Sequence, residues 1–127
     1  MSKPKQVIVV RKDLNMRKGK IAGQVGHAAM MFLTKQATIE EQKLTVTLNI
    51  PQHDWLTNSF TKIVPYVNSE DELRSLIQKA KDSGVIVHEC IDNGLTEFKG
   101  VSTLTCAAFG PDYPELLDPI TGHLPLL

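Results

Sequence analysis

The sequence predicts one α/β domain over residues 1–127, with a small mixed β-sheet of about four strands, mostly parallel, and helices on both faces. Two observations lead to this prediction. Short apolar, β-branched runs typical of strands alternate along the chain with segments of helical periodicity. The length of 127 residues suits one domain, and 42% hydrophobic with 22% charged residues is ordinary for a globular protein.

The first two elements are a buried strand and an amphipathic helix. Residues 7–10 (VIVV) form a continuous β-branched run, which is typical of a strand covered on both faces. From Gly19 onward, apolar side chains recur with helical spacing and share one face: Ile21, Val25, Ala28 and Phe32. Three polar side chains lie within about 60° of one another on a neighbouring face: Lys20, Gln24 and His27.

The middle of the chain, residues 34–61, has the least regular pattern. Alternating residues at 44–48 predict a short strand. A short helix is expected after Pro51, with Trp55 on its inner side. Residues 62–67 predict a further strand, whose internal proline indicates an edge or an irregular position.

The second half alternates helix and strand more clearly. Ser69 and Glu72 have capping-box spacing at the start of a predicted helix, and Gly84 follows its last turn. Residues 85–91 and 104–109 predict two strands. The loop between them is too short for a helical crossover, so they can pair antiparallel. The proline-rich tail leaves room only for a short helix.

Cysteine usage and hydropathy exclude several classes of protein. Cys90 and Cys106 lie in apolar runs, which favours buried, reduced, inert thiols over a disulfide framework. Because no Cys/His spacing fits a zinc site, no metal or cofactor is expected. No apolar run approaches the roughly 18 residues of a membrane span, and the N-terminal run is too short for a signal peptide. We therefore expect a cytoplasmic protein.

The positive charges are concentrated at the N-terminal end, although the formal net charge is zero. Within the first twenty residues only Asp13 opposes the basic side chains, which are Lys3, Lys5, Arg11, Lys12, Arg17, Lys18 and Lys20. This asymmetry indicates a basic surface that faces a polyanion. Charge alone fits a solvated N-terminal segment equally well.

Two segments follow predicted strands and are candidates for the functional site, because ligands bind beyond the carboxyl ends of parallel strands. They are residues 11–20 and residues 92–96. If the two strands are parallel neighbours, Lys20 and Asp92 converge at one sheet edge, where they could hydrolyse an ester. The carboxylate can orient or deprotonate water, and the ammonium can stabilise a developing oxyanion or hold a phosphate.

Other polar side chains could assist the same chemistry. Gln24 can donate to the same oxyanion, and the hydroxyl groups of Thr96, Thr103 or Thr105 could position water or substrate. Each assignment has an ordinary alternative. A lysine near a helix start is usually a solvated charge, an aspartate before Asn-Gly usually forms a turn, and a threonine in an apolar run is usually a strand residue.

Four sequence blocks, in this order, resemble the type-2 peptidyl-tRNA hydrolase family. They are VIVVRKDL with MRKGKIAGQVGHAA at residues 7–29, DNGLTE at 92–97, TCAAFGP at 105–111, and LDPITGHL at 117–124. The blocks span nearly the whole chain. Departures from the family pattern are residues 34–61, Asn93 in place of a small residue, and Ala107 in place of glycine.

The resemblance implies a fold, an activity and a site. The implied fold is a small mixed sheet flanked by helices, and the implied reaction is hydrolysis of the ester that joins a peptide to the terminal ribose of tRNA. The family's catalytic lysine, glutamine and aspartate match Lys20, Gln24 and Asp92. A family threonine matches Thr105 best, with Thr103 as second choice. Family members also resemble dimers, so a homodimer is possible.

From these observations we expect a tRNA-binding surface beside the catalytic residues. The basic residues expected to hold tRNA phosphates are Arg11, Lys12, Arg17 and Lys18, with Thr96 and Thr103 near the substrate. Two alternatives use the same scaffold: a non-catalytic RNA-binding module and a protein-interaction adaptor.

Overall fold

The computed structural model describes residues 2–94 and 98–127 of the chain. Seven strands occur within them: β1 Lys5–Arg11, β2 Thr38–Glu40, β3 Lys43–Thr45, β4 Thr61–Ile63, β5 Tyr66–Val67, β6 Val87–Asp92 and β7 Thr103–Asp112. Four α-helices occur in the same residues: α1 Lys18–Thr34, α2 Ile50–Asp54, α3 Glu70–Asp82 and α4 Pro114–Thr121. No helix in the described part of the chain is long and apolar enough to span a membrane.

Five of the strands in the described residues form the main sheet, in the order β4–β1–β7–β6, with β5 also beside β1. β4 and β5 pair parallel with β1, whereas β7 pairs antiparallel with both β1 and β6. Strands β1, β4, β5 and β6 therefore run in one direction, and β7 runs against them. The predicted α/β class and mixed sheet are confirmed.

The position of β7 departs from the prediction that β1 and β6 could be neighbours. β7 returns from β6 through a short connection, so it must run antiparallel, and it lies between β6 and β1. The prediction of a mostly parallel sheet is corrected, because the two longest ladders, β1–β7 and β6–β7, are antiparallel and the parallel pairings of β1 with β4 and β5 are short.

Helices cover both faces of the main sheet, as predicted. One face packs against α3 and α4 through a core that includes Val7, Val9, Leu73, Phe109 and Leu117. The other face packs against α1 through a core that includes Ile8, Val10, Ala28, Cys90 and Cys106. The alternation of β1 explains the division, because successive side chains of a strand point to opposite faces.

Residues 34–67 differ most from their predicted elements. A hairpin of β2 and β3 replaces the strand predicted at 44–48, and its residues are exposed. The predicted helix near Pro51 is confirmed as α2, which continues into one π-helical segment, Trp55–Ser59. The strand predicted at 62–67 is split into β4 and β5 around Pro65, whose missing N–H interrupts the ladder.

Caps at both ends fix α3. The Ser69 hydroxyl accepts a hydrogen bond from the Glu72 amide at 3.1 Å, as the capping box predicts. The Glu72 carboxylate accepts from the main-chain N–H of Asn68 at 3.3 Å, whereas a capping box would have it accept from the main-chain N–H of Ser69. Gly84 has a φ of 74°, the left-handed conformation expected after a helix. The tail helix α4 reaches eight residues because Pro114 occupies its first turn, where no N–H is needed.

Candidate active site

The carboxyl edge of the sheet brings together side chains from α1 and β6. After β1 the chain makes one 3₁₀ turn at Lys12–Leu14 and enters α1 at Lys18. Asp92 is the last residue of β6. Because β1 and β6 run in the same direction, their carboxyl ends lie at one edge even though β7 separates them. The predicted convergence of Lys20, Gln24 and Asp92 is therefore present.

Asp92 is the acceptor at the centre of this cluster. Its Oδ1 accepts hydrogen bonds from Lys20 Nζ at 2.9 Å and from Gln24 Nε2 at 3.4 Å. Its Oδ2 accepts from the main-chain N–H of Gly94 at 2.9 Å. The side chains of Lys20 and Asp92 are 16% and 11% exposed, so the pair is partly shielded but still reachable from solvent.

The partners of Asp92 favour its charged form. The hydrogen bond from Lys20 lowers the pKa of the Asp92 carboxyl, and the Gly94 N–H and the charge of Lys20 act in the same direction against the effect of burial. Asp92 is thus an ionised carboxylate at neutral pH. The site presents a carboxylate, an ammonium and a side-chain amide within one hydrogen-bonded group.

Thr105 contacts this group through Gln24. Its hydroxyl donates to Gln24 Oε1 at 2.6 Å, and the residue is fully buried. The ladder between β6 and β7 shifts register between Cys90 and Ile91, which leaves Thr105 as an extra, unpaired residue. This β-bulge turns Thr105 toward the same face as Cys106, because bulges redirect a side chain that strict alternation would place on the other face.

The burial of Thr105 bears on its predicted catalytic role, which stays a prediction. Its hydroxyl has no exposed surface and donates to Gln24, so Thr105 is connected to the Lys20–Asp92 pair through that amide. Thr103 lies directly opposite Asp92 on β7, and its hydroxyl donates to the Val101 carbonyl at 2.8 Å. Thr96 lies outside the described residues.

Three of the four basic residues expected to bind phosphate are exposed beside the site, namely Lys12, Arg17 and Lys18. Lys12 Nζ lies 4.4 Å from the centroid of the Tyr66 ring. Arg11 differs from these three. It is buried, its Nε and Nη2 donate to Asp13 at 3.2 and 2.7 Å, and its Nη1 donates to the Leu104 carbonyl at 3.1 Å.

The surroundings of Arg11 do not favour its predicted assignment to phosphate binding. The guanidinium is already held by the carboxylates of Asp13 and Glu70 and by the Leu104 carbonyl, and it connects the end of β1 to β7. A phosphate would have to displace these partners in a buried setting, where an unpaired group is costly. These contacts distinguish Arg11 from the exposed Lys12, Arg17 and Lys18.

Cys90 is a contact of the site that sequence reasoning did not assign. Its Sγ lies 3.2 Å from Gln24 Oε1. The prediction that both cysteines are buried and reduced is confirmed. A signal for the contact was available in the sequence, because Cys90 precedes Asp92 by two residues and so lies on the same face of the strand.

The fold and the cluster define a small α/β protein whose lysine, glutamine and aspartate are arranged for acyl-transfer chemistry with water. The family described as peptidyl-tRNA hydrolase PTH2 matches residues 4–127. The chain belongs to this family. Membership confirms the family predicted from the four sequence blocks and, with it, the predicted class of enzyme, a hydrolase.

Curated relatives agree with the family match over nearly their whole length. The chain is 41% identical over 123 residues to a peptidyl-tRNA hydrolase of Thermoplasma volcanium, covering 97% of each chain. It is 39% identical over 125 residues to one of Methanocaldococcus jannaschii, covering 97% of this chain and 99% of the relative. A solved protein of unknown function from Agrobacterium tumefaciens shares the fold, with a TM-score of 0.58 at 11% identity and coverage of 100% and 99%.

Proposed function

We propose that this protein hydrolyses the ester bond of peptidyl-tRNA at the Lys20–Asp92 pair and releases free tRNA and peptide. The family supports the reaction, since its relatives are named for it. The observation that supports the site is the 2.9 Å contact between Lys20 Nζ and Asp92 Oδ1, with the Gln24 amide on the same oxygen. An ester hydrolase needs a group that orients water and groups that stabilise an oxyanion, and these three side chains provide both.

In the proposed first step, Asp92 binds a water molecule, whose oxygen attacks the ester carbonyl carbon. One water proton passes to the Asp92 carboxylate, and the carbonyl electron pair moves onto the oxygen. Lys20 turns toward that oxyanion, and Gln24 can donate to it. Because the Lys20 hydrogen bond lowers the pKa of Asp92, the movement of Lys20 makes Asp92 a stronger base at the moment when it must accept the proton.

In the second step the tetrahedral intermediate collapses. The carbonyl re-forms, and the bond to the terminal ribose oxygen breaks. The proton held by Asp92 passes to that oxygen, which leaves as the ribose hydroxyl. Lys20 then returns to Asp92, so the starting hydrogen bonds are restored and no net proton is consumed by the site.

We assign tRNA binding to three exposed basic residues: Lys12 and Arg17 on the connection between β1 and α1, and Lys18 at the first position of α1. Phosphate contacts hold a nucleic acid without reading its sequence, which suits an enzyme that accepts many tRNAs. Thr103 remains a proposed substrate contact because it lies opposite Asp92. A cytoplasmic location and a homodimer remain predictions. No observation favours the RNA-binding module or the adaptor over the enzyme.

The test is release of a labelled N-acetyl-aminoacyl group from its tRNA. We expect the Lys20→Ala and Asp92→Ala variants to lose roughly 100-fold or more in turnover, the usual effect of removing an oxyanion donor or the group that activates water. Lys79→Ala is the matched control, because Lys79 is an exposed lysine on α3, across the sheet from the site. Wild-type protein that binds tRNA without cleaving it would identify a non-catalytic RNA-binding module instead.

A second measurement tests the tRNA surface separately. Lys18→Ala should raise KM for the labelled tRNA and leave kcat unchanged, because Lys18 lies outside the reacting group. The slope of log KM against log salt should fall by about one for each phosphate that the variant no longer neutralises. An unchanged KM and salt slope would remove Lys18 from the binding surface.

A further inference from the structure

The carbonyl oxygen of Gln24 receives two donors from the sheet. The Thr105 hydroxyl lies 2.6 Å and the Cys90 Sγ 3.2 Å from Oε1. We propose that Cys90 is a positioning residue for the hydrolysis, and that its thiol, together with Thr105, holds the Gln24 amide with its nitrogen toward Asp92. This inference depends on the proposed function, because it assigns Cys90 a part in that reaction.

The hydrogen-bonding capacity of an amide explains why two donors fix its orientation. A side-chain carbonyl has two acceptor positions, and the NH₂ group can only donate. Thr105 and Cys90 fill both acceptor positions, while Nε2 donates to Asp92 Oδ1. If the amide turned by 180°, its NH₂ would face two donors and its oxygen would face a carboxylate. Both ends of the amide therefore favour the observed orientation.

Cys90 is a buried residue that contacts Gln24 and is not itself part of the reacting group. It is 1% exposed and lies on β6 two residues before Asp92, so it supports the Gln24 side chain without reaching the substrate. Cys106 lies directly opposite Cys90 on β7 and is equally buried, but its Sγ contacts the main-chain oxygen of Gln24, at 3.6 Å, and not the side-chain amide. Cys106 is therefore a matched thiol that does not contact the amide.

The hydrogen bond from Cys90 requires a protonated thiol, because a thiolate 3.2 Å from a carbonyl oxygen would be repelled. The Cys106 thiol can donate to Cys90 and lowers its pKa to about 6, against the effect of burial. Thr105 and His27 act in the same direction as Cys106, and Asp92, the partner of Lys20, acts against them. The pKa of Cys106 is raised, so Cys90 is the thiol that ionises first. The hydrogen bond therefore forms below a pH of about 6 and breaks as pH rises through that value.

The experiment compares kcat and KM for the labelled N-acetyl-aminoacyl-tRNA among thiol variants. Below the pKa of Cys90, where its thiol is protonated, Cys90→Ala should lower kcat about threefold to tenfold at unchanged KM, the effect of removing one weak hydrogen bond. At the same pH Cys90→Ser keeps a donor and should retain kcat. Cys106→Ala should also retain kcat there, because it leaves the contact between Cys90 and Gln24 intact. In a Gln24→Ala background, Cys90→Ala should have no further effect, since the group that it positions is absent.

Two further readouts separate positioning from packing. Wild type should lose kcat as pH rises through the Cys90 pKa, and Cys90→Ser should lack that loss because serine does not ionise in this range. The side-chain amide resonances of Gln24 should shift in Cys90→Ala and stay in place in Cys106→Ala. Thermal unfolding shows whether each variant folds. If Cys90→Ala does not fold, the pH dependence of Cys90→Ser still tests the proposal.

The outcomes distinguish this proposal from the proposed function. If wild type does not cleave the substrate, the proposed function fails, and the Gln24 resonances alone then decide whether Cys90 fixes the amide. If wild type cleaves and Cys90→Ala cleaves equally well, Cys90 has no positioning role. If Cys90→Ala lowers kcat as much in the Gln24→Ala background as in wild type, the positioning role is also overturned, because the loss of kcat would not act through Gln24.

Discussion

The two faces of the main sheet are built from different side chains. The face toward α3 and α4 is a continuous apolar core, in which Leu73, Phe109 and Leu117 are fully buried. The face toward α1 also has an apolar core, but near the carboxyl edge it contains Thr105 and the two thiols around Gln24. Within residues 2–94 and 98–127, polar groups next to the Lys20–Asp92 pair come from the second face.

This difference indicates a division between stability and chemistry. Removing apolar groups from the α3 face should change the free energy of unfolding, because burial is the main favourable term of folding. Changes on the α1 face near Gln24 should change turnover, because they move hydrogen-bond donors by tenths of an ångström. Substitutions on each face, and in the exposed hairpin, test whether the division holds.

The largest expected effect is on stability. Leu73→Ala removes a fully buried side chain from the α3 face and should lower the free energy of unfolding by about 2–5 kcal/mol. Urea unfolding measures this free energy. The kcat of the folded fraction should match that of wild type, since Leu73 packs away from Asp92. A loss of kcat in fully folded Leu73→Ala would show that the two faces are coupled.

The next effect is on the ionisation of Asp92. Because the Lys20 hydrogen bond lowers its pKa, the folded carboxyl should titrate below the ordinary value for aspartate, and Lys20→Met should raise that value. NMR titration of the carboxyl carbon measures both. A group with a lowered folded pKa stabilises the fold at higher pH and loses that contribution as pH falls through the folded pKa. Equal pKa values in the two proteins would show that the Lys20–Asp92 contact is absent in solution.

The smallest expected effect is in the β2–β3 hairpin. Ile39 and Leu44 lie opposite each other and are 68% and 53% exposed, so they add little to the core. Replacing both with serine should change the free energy of unfolding by less than about 0.5 kcal/mol per residue and leave kcat unchanged. Urea unfolding and the release assay measure the two quantities. A large loss in either would mean that the hairpin belongs to the site or to the core.

Much of the fold was predictable because it depends on local pattern. The β-branched run of β1, the helical periodicity of α1 and the cap of α3 at Ser69 each have a signal within a few residues. The order of the sheet depends on which distant strands pair, and no local pattern placed β7 between β1 and β6. The hairpin was predicted only in part: the alternation at 44–48 indicated one strand, which overlaps β3, and β2 was missed because its three residues are too few to show a pattern.

The candidate site shows the same limit. The convergence of Lys20 and Asp92 followed from strand directions, which the alternation of elements predicts. The choice between Thr103 and Thr105 could not be made from spacing, because a β-bulge decides which of them faces Gln24. The burial of Arg11 was equally hidden, since its partners Asp13 and Leu104 come from two separate segments.

The central claim is that Asp92 activates water for ester hydrolysis. Single-turnover cleavage of labelled N-acetyl-aminoacyl-tRNA by saturating Asp92→Asn, with tRNA binding measured in the same samples, tests it most directly. This change keeps the shape of the side chain and removes its charge. We predict normal binding and a cleavage rate lower by roughly 100-fold or more. Cleavage at the wild-type rate would contradict the claim and place the chemistry elsewhere.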